Sequence, residues 1–196
     1  MPAVEDPRVL GELELFQGLS LEDLTYLNGL LRSSSVPAGT NFITVEQPGE
    51  VVYVILEGTV KIYVSHEDGR EVILAFLGHG DTVGEMSLID SSGRSANVLT
   101  TEKSRLLWMD RITFQTCVRS LTPLANNLVR LLSNRLRFAN EQIQALCTLD
   151  VAGRVARDAV GLRADGSLVV VDLRRPATFF LAVTASPSLA VVPPRM

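Results

Sequence analysis

The chain predicts a mainly β fold with α: an antiparallel double-stranded β-helix, or jelly roll, with flanking helices and a long dimerisation helix. Three observations carry this. From Val36 to about Met109 apolar and polar residues alternate with period two, punctuated by glycines at 39, 49, 58, 69, 78, 80, 84 and 93. Residues 8 to 32 ahead of this run carry apolar positions at helical spacing. Behind it, residues 122 to 149 repeat apolar residues at intervals of four and three.

Taken in order, Val9, Leu10, Leu13 and Phe16, then Leu21, Leu24, Leu27, Leu30 and Leu31, read as two short helices broken at Gly18. Ser20 with Asp23 three positions later resembles a capping box at the start of the second. The period-two region holds about eight strands. The clearest are Val51 to Leu56, Val60 to Ser65 and Glu71 to Leu77, joined by Glu57-Gly58-Thr59 and by the Glu67-Asp68-Gly69 turn, and Thr100 to Met109 is expected to return across them. Regular short strands of this kind fold as two packed antiparallel sheets. Asp110 then caps a short helix, and Thr122-Pro123 opens a long one, with proline where its missing N–H costs nothing. Along that helix Ala125, Val129, Leu132, Leu136, Ala139, Ile143 and Leu146 form a heptad seam, while Leu124, Leu128, Leu131 and Phe138 form a second row suited to face the jelly roll. Two apolar faces on one helix predict a homodimer through residues 121–149.

Composition narrows the class. With 196 residues, 46% hydrophobic and 20% charged, the chain fits one well-buried domain and a smaller appendage. Met1 to Glu14 carries four acidic residues and lacks the basic start of a signal peptide, and no apolar run reaches membrane-span length, so a soluble, cytoplasmic protein with no membrane partner is expected. Cys117 and Cys147 have no Cys or His neighbour at metal spacing, so no disulfide framework and no metal is expected. The net charge of -4 is uneven: residues 1–150 hold 12 basic and 19 acidic residues, or -7, and the remainder 6 and 3, or +3. That is a weak pointer to a nucleic-acid-facing end, and an ordinary solvated surface gives the same numbers.

Residues 84–96, Gly-Glu-Met-Ser-Leu-Ile-Asp-Ser-Ser-Gly-Arg-Ser-Ala, concentrate the groups that hold a small phosphorylated ligand. Arg94 offers a planar fork of donors matched to phosphate oxygens. Ser95 adds a hydroxyl, and Gly84 admits close approach of backbone. Glu85 would repel an anion, so a pair of ribose hydroxyls is its natural partner, with Arg94 balancing its charge. The plainer reading is a surface Arg–Glu ion pair, worth under about 1 kcal/mol.

At these residues the chain resembles the cyclic-nucleotide-binding domain of the catabolite activator and FNR superfamily, in which Gly-Glu, a helical turn and Arg-Ser-Ala form a phosphate-binding cassette. The resemblance extends over Leu15 to Ser20, Pro37 to Thr40, Pro48-Gly49, Tyr53 to Gly58 and Gly80-Asp81, with departures at Glu46-Gln47 and His79. It implies that Gly84 and Glu85 hold the ribose of a cyclic nucleotide effector and that Arg94 and Ser95 hold its cyclic phosphate, with Met86 and Ala96 beside them. It further implies that the base reaches the dimer helix at Ala139 and Asn140. Ala139 cannot hydrogen-bond a base and Asn140 can both donate and accept, which leaves the choice between adenine and guanine open; the effector expected is cAMP or cGMP, with cAMP favoured. Transcription control, DNA binding and contact with RNA polymerase follow from the same resemblance.

The match weakens towards the C-terminus. Leu149 to Ala156 resembles the hinge and first helix leading into a winged-helix domain, and Ser167 to Leu173 is strand-like. The 21 residues from Pro176 to Met196 hold one arginine, no acidic residue and prolines at 187, 193 and 194, which does not describe a recognition helix. A frameshift near residue 175 or a nucleotide-binding module without DNA contact would each explain this. The expected organisation is thus a jelly-roll domain over 1–120, a dimer helix over 121–149 and a partial or degenerate winged helix over 150–196. No enzyme is expected, because His66 and His79 sit in turns and no Ser-His-acid order, paired-carboxylate motif or P-loop occurs. A haem or redox sensor on the same fold is the remaining alternative.

Overall fold

The computed structural model describes residues 2–45, 47–90 and 92–148, together with the backbone of two strands further on. Eight strands make two four-stranded antiparallel sheets: β1 (Arg32–Val36), β8 (Ser104–Asp110), β3 (Val51–Glu57) and β6 (Thr82–Val83) in one, β2 (Asn41–Ile43), β7 (Asn97–Thr100), β4 (Val60–Ser65) and β5 (Glu71–Leu77) in the other. Val60 pairs with Leu77 on one side and Thr100 on the other, and Tyr53 pairs with Trp108, so each sheet interleaves strands distant in sequence. This is the expected jelly roll.

β3 shows why the strands occupy these places. Its sequence Val-Val-Tyr-Val-Ile-Leu-Glu is apolar on both faces, and both faces are covered. Ile55 joins Ile43, Val60, Val83, Val98 and Leu106 in the space between the sheets. Val52, Val54 and Leu56 point the other way, into a larger core shared with the helical segments.

Three details differ from the expected elements. Before Gly18 the chain forms two 3-10 segments, Pro7–Glu12 and Glu14–Phe16, in place of an α-helix. Leu10, Leu13 and Phe16 are fully buried, and their spacing of three is the 3-10 repeat, which puts them on one face. The return across the sheet splits into β7 and β8, because the Thr100 hydroxyl donates to the Pro37 carbonyl and ends β7 in a turn. β1 begins at Arg32, ahead of the alternating region, and Arg32 lies 5.1 Å over the Trp108 ring.

The helices follow their local signals. The Ser20–Asp23 capping box opens α1 (Leu21–Leu30), and Asp110 caps α3 (Arg111–Ser120) by accepting from the Thr113 backbone N–H at 2.9 Å and its hydroxyl at 2.8 Å. α4 (Thr122–Thr148) runs 27 residues, roughly 40 Å. Leu124, Leu128 and Leu131 are buried against the roll, and Asn127 donates to the Leu15 and Gln17 carbonyls. On the opposite face Val129, Leu136, Ile143 and Leu146 are 63%, 63%, 59% and 52% exposed, which leaves most of the heptad seam uncovered in the single chain. No helix among the described residues is long and apolar enough to cross a membrane.

Beyond α4, strands β9 (Ala159–Asp165) and β10 (Leu168–Leu173) pair as an antiparallel hairpin. β10 matches the strand expected there. The expected hinge and helix at 149–156 and the tail at 176–196 lie outside the described residues.

The Asp110 cap yields a pH-dependent prediction. Its bonds to Thr113 hold the carboxyl below the usual carboxylate range, so its contribution is complete above the unfolded-state value near ~3.9 and is lost as pH falls through the lower folded value. Asp110→Ala is expected to cost about 1 kcal/mol in urea unfolding at neutral pH, with the difference from wild type shrinking in acid.

Candidate functional site

The site grows from a tight path after β6. Gly84 has φ 84°, and a Cβ there would meet the Arg94 guanidinium and lie 2.9 Å from the Val51 carbonyl oxygen. The residue thus makes room for Arg94, a closer reason for glycine than room for a ligand. One helical turn follows, α2 (Met86–Ile89), whose Ser87 hydroxyl donates to the Gly84 carbonyl at 3.1 Å. Gly49 lies where any side chain would collide with Ser87, so the two glycines fix the cassette against β3.

Arg94 reaches into this frame and is 7% exposed. Its Nη1 donates to the Gly84 carbonyl at 3.0 Å and to the Ser87 hydroxyl at 3.1 Å, and its Nη2 to the Val51 carbonyl at 2.8 Å. Among the described residues its Nε–H is buried with no partner. Burial pulls the pKa of the guanidinium below its ordinary value, against the opposite pull of Tyr53 and Glu85. Backbone carbonyls orient the cation without neutralising it, and among the described residues it forms no ion pair.

Glu85 is 1% exposed, and its charge is balanced from an unexpected direction. Arg135 of α4 brings Nη1 to 2.5 Å from Glu85 Oε1 and donates through Nη2 to the Thr82 carbonyl. The partner is therefore Arg135, where the sequence predicts Arg94. A signal was present: Leu124, Leu128, Leu131 and Phe138 leave a gap in their row that Arg135 fills, a cation on the face of α4 turned to the roll. Asp81, next to Thr82, accepts from the Gly78 N–H at 2.8 Å, and burial pushes its carboxyl above the ordinary range, in favour of the uncharged form.

These residues border a cavity of about 680 Å³, within the size range of small-ligand sites. The cassette supplies Gly84, Glu85, Met86, Arg94, Ser95 and Ala96. Ile62 and Leu74 wall the roll side, and α4 contributes Arg135, Phe138, Ala139, Gln142 and Ile143. Ser95 is exposed, and among the described residues its hydroxyl makes only a 4.0 Å contact with Met86 sulfur. Asn140 is exposed and does not line the cavity, whereas its neighbour Ala139 does.

Other chemistry is sparse nearby. Among the described residues no three His, Cys, Asp or Glu side chains cluster at metal-binding range. His79 places Nδ1 2.7 Å from the Leu56 carbonyl, Cys117 is buried, and Cys147 is exposed on α4. The arrangement is that of a binding pocket: a desolvated, oriented cation with a buried unsatisfied N–H, an adjacent hydroxyl, a carboxylate neutralised by a long helix, and apolar walls.

Residues 33–120 match the family described as the cyclic nucleotide-binding domain. A "CRP-like cAMP-activated global transcriptional regulator" of Mycobacterium tuberculosis is 31% identical over 154 residues, 79% of this chain and 69% of that protein. The "Cyclic AMP receptor protein" of Thermus thermophilus is 30% identical over 178 residues, 91% of this chain and 82% of that protein. The solved Thermus thermophilus catabolite activator protein superposes with a TM-score of 0.62 at 33% identity, covering 68% of this chain and 63% of that one. The chain belongs to the CRP-like family of transcriptional regulators built on a cyclic nucleotide-binding domain.

Proposed function

We propose that the cavity binds a cyclic nucleotide, with cAMP favoured over cGMP, and that occupancy is passed through α4 to a DNA-binding part in a cytoplasmic, non-catalytic homodimer. One observation carries the ligand assignment. Arg94 is buried, positively charged and oriented, yet keeps an Nε–H without a partner, and a buried donor left unpaired costs about 1–3 kcal/mol. A phosphate oxygen entering beside Ser95 removes that cost and pairs the charge. Glu85, already neutralised by Arg135, can accept from ribose hydroxyls without repelling the anion.

The relatives support the rest of the reading, since those cited are named as cAMP-activated or cyclic AMP receptor proteins. The exposed seam of Val129, Leu136, Ile143 and Leu146 supports pairing of two copies along α4. Arg135 joins the pocket to that same helix, which gives an occupied cassette a mechanical route to residues beyond Thr148. RNA polymerase is the partner expected of a regulator that activates transcription. A second reading, a dimeric nucleotide-binding module without DNA contact, draws support from the tail Pro176–Met196, with one arginine and no acidic residue.

Calorimetric titration of the full chain with cAMP and cGMP tests the ligand. Arg94→Ala should weaken cAMP binding about ten- to hundredfold, the loss of a charge-assisted phosphate contact. Because Arg94 also braces the cassette, Ser95→Ala provides an independent arm, in which a several-fold loss is expected with unchanged thermal unfolding. No heat from wild type with either nucleotide would sink the assignment. For the dimer, Leu136→Glu puts two carboxylates into the seam and should raise the dimer dissociation constant at least about tenfold by sedimentation equilibrium; an unchanged mass distribution refutes pairing along α4. DNA contact is read from duplex binding by the cAMP-loaded chain at low salt. Binding that falls steeply as salt rises is expected of a retained DNA-binding part, and none at any salt selects the second reading.

A further inference from the structure

We infer that Met86 is an oxidation site of the pocket, whose sulfoxide takes the Ser95 hydroxyl away from an incoming anion and so weakens ligand binding in the presence of a peroxide. The consequence for the ligand rests on the cyclic-nucleotide reading above. Two of the four methionines, Met86 and Met109, fall among the described residues, and the fold treats them differently. Met109 on β8 is 2% exposed within the main core, whereas Met86 at the start of α2 is 49% exposed. The single turn of α2 explains the contrast. It is anchored through Ser87 and Leu88, both buried, and therefore turns Met86 and Ile89, three positions apart, outward. Of these two, Met86 lines the cavity and Ile89 does not.

The neighbour of Met86 turns exposure into consequence. Its Sδ lies 4.0 Å from the Ser95 Oγ, and among the described residues that hydroxyl has no other partner. A thioether is a weak acceptor, so in the reduced protein Ser95 keeps its hydrogen for a phosphate oxygen. Oxidation reverses this preference. A lone pair of the sulfur attacks the peroxide, the O–O bond breaks, one oxygen stays on the sulfur and the other leaves as water, which converts the apolar thioether into a polar sulfoxide. The new oxygen is a strong acceptor carried on the atom already in contact with Ser95.

Two effects then oppose an anion. The Ser95 hydroxyl is engaged within the cassette, and the negative end of the S–O dipole stands at the pocket wall. Arg94 is left as it was, because its donors are held by Gly84, Ser87 and Val51. Binding is therefore weakened rather than abolished. The cysteines supply no equivalent link: Cys117 is buried, and Cys147, exposed on α4, does not line the cavity.

The test treats the full chain, in a Cys147→Ser background, with hydrogen peroxide, locates the added oxygen by peptide mass mapping, and measures cAMP affinity by calorimetry before and after. Met86 is expected to gain one oxygen while Met109 gains none. The affinity should fall about tenfold, the worth of one hydrogen bond to a charged group, with thermal unfolding unchanged, and methionine sulfoxide reductases should restore it. Met86→Leu removes the sulfur, so its affinity, whatever the starting value, should not respond to peroxide. In Ser95→Ala the hydroxyl is already gone, and peroxide should change affinity by less than about threefold. An unoxidised Met86, an unchanged affinity after its oxidation, a lowered unfolding midpoint, or an equal loss in either variant overturns this inference while the cyclic-nucleotide reading stands. If the untreated chain binds neither cAMP nor cGMP, that reading falls and takes the inference with it.

Discussion

The cassette depends on holding a guanidinium out of water without a carboxylate against it. A buried charge survives only where hydrogen bonds replace its hydration, and three acceptors on three segments do this for Arg94: Gly84 and Val51 through their carbonyls and Ser87 through its hydroxyl. Every neighbour follows from that arrangement. Gly84 has no side chain because Arg94 occupies the space, Gly49 has none because Ser87 does, and Arg111 reaches across from α3 to the carbonyls of Gly49 and Ser87, tying the turn to the rest of the roll. The result is a cation already fixed in place, so the proposed ligand would meet it with little ordering left to do.

The second charge in the pocket is handled in the opposite way. Glu85 is almost wholly buried, and its neutralising partner comes from fifty residues along the chain, on a helix whose other face is apolar and exposed. A surface ion pair contributes little, but one with its carboxylate buried is tied to the position of the helix that supplies the cation. Any shift of α4 relative to the roll must either be taken up by the Arg135 side chain, carry Glu85 along, or leave Glu85 buried and uncompensated.

How much of this was legible in the sequence depends on the range of the interaction involved. The limits of β4 and β5, the Ser20 capping box and the Asp110 cap were readable because each is decided by residues within a few positions of one another. The polar run Arg32 to Ser35 has nothing strand-like in it and becomes β1 only because β8 offers an edge, a contact across more than seventy residues. The cassette residues from Gly84 to Ala96 were readable as a motif, whereas the partner of Glu85 was not, since it depends on how α4 is rotated against the roll. The same rotation separates Asn140 from Gln142: two positions on a helix differ by more than half a turn, and only the packed structure says which of them meets the cavity. The hinge and tail lie outside the described residues, and the fold adds nothing there to what composition says.

Ala139 and Ile143 occupy two surfaces at once, since both stand in the heptad seam and both line the cavity. In the proposed dimer, nucleotide and second subunit draw on the same apolar side chains, so the two equilibria are thermodynamically linked and each must alter the other by the same factor. An affinity constant for this protein is then a function of its own concentration. Dilution below the association midpoint changes the apparent strength of the ligand, and cellular abundance becomes a control variable alongside the level of the signal itself.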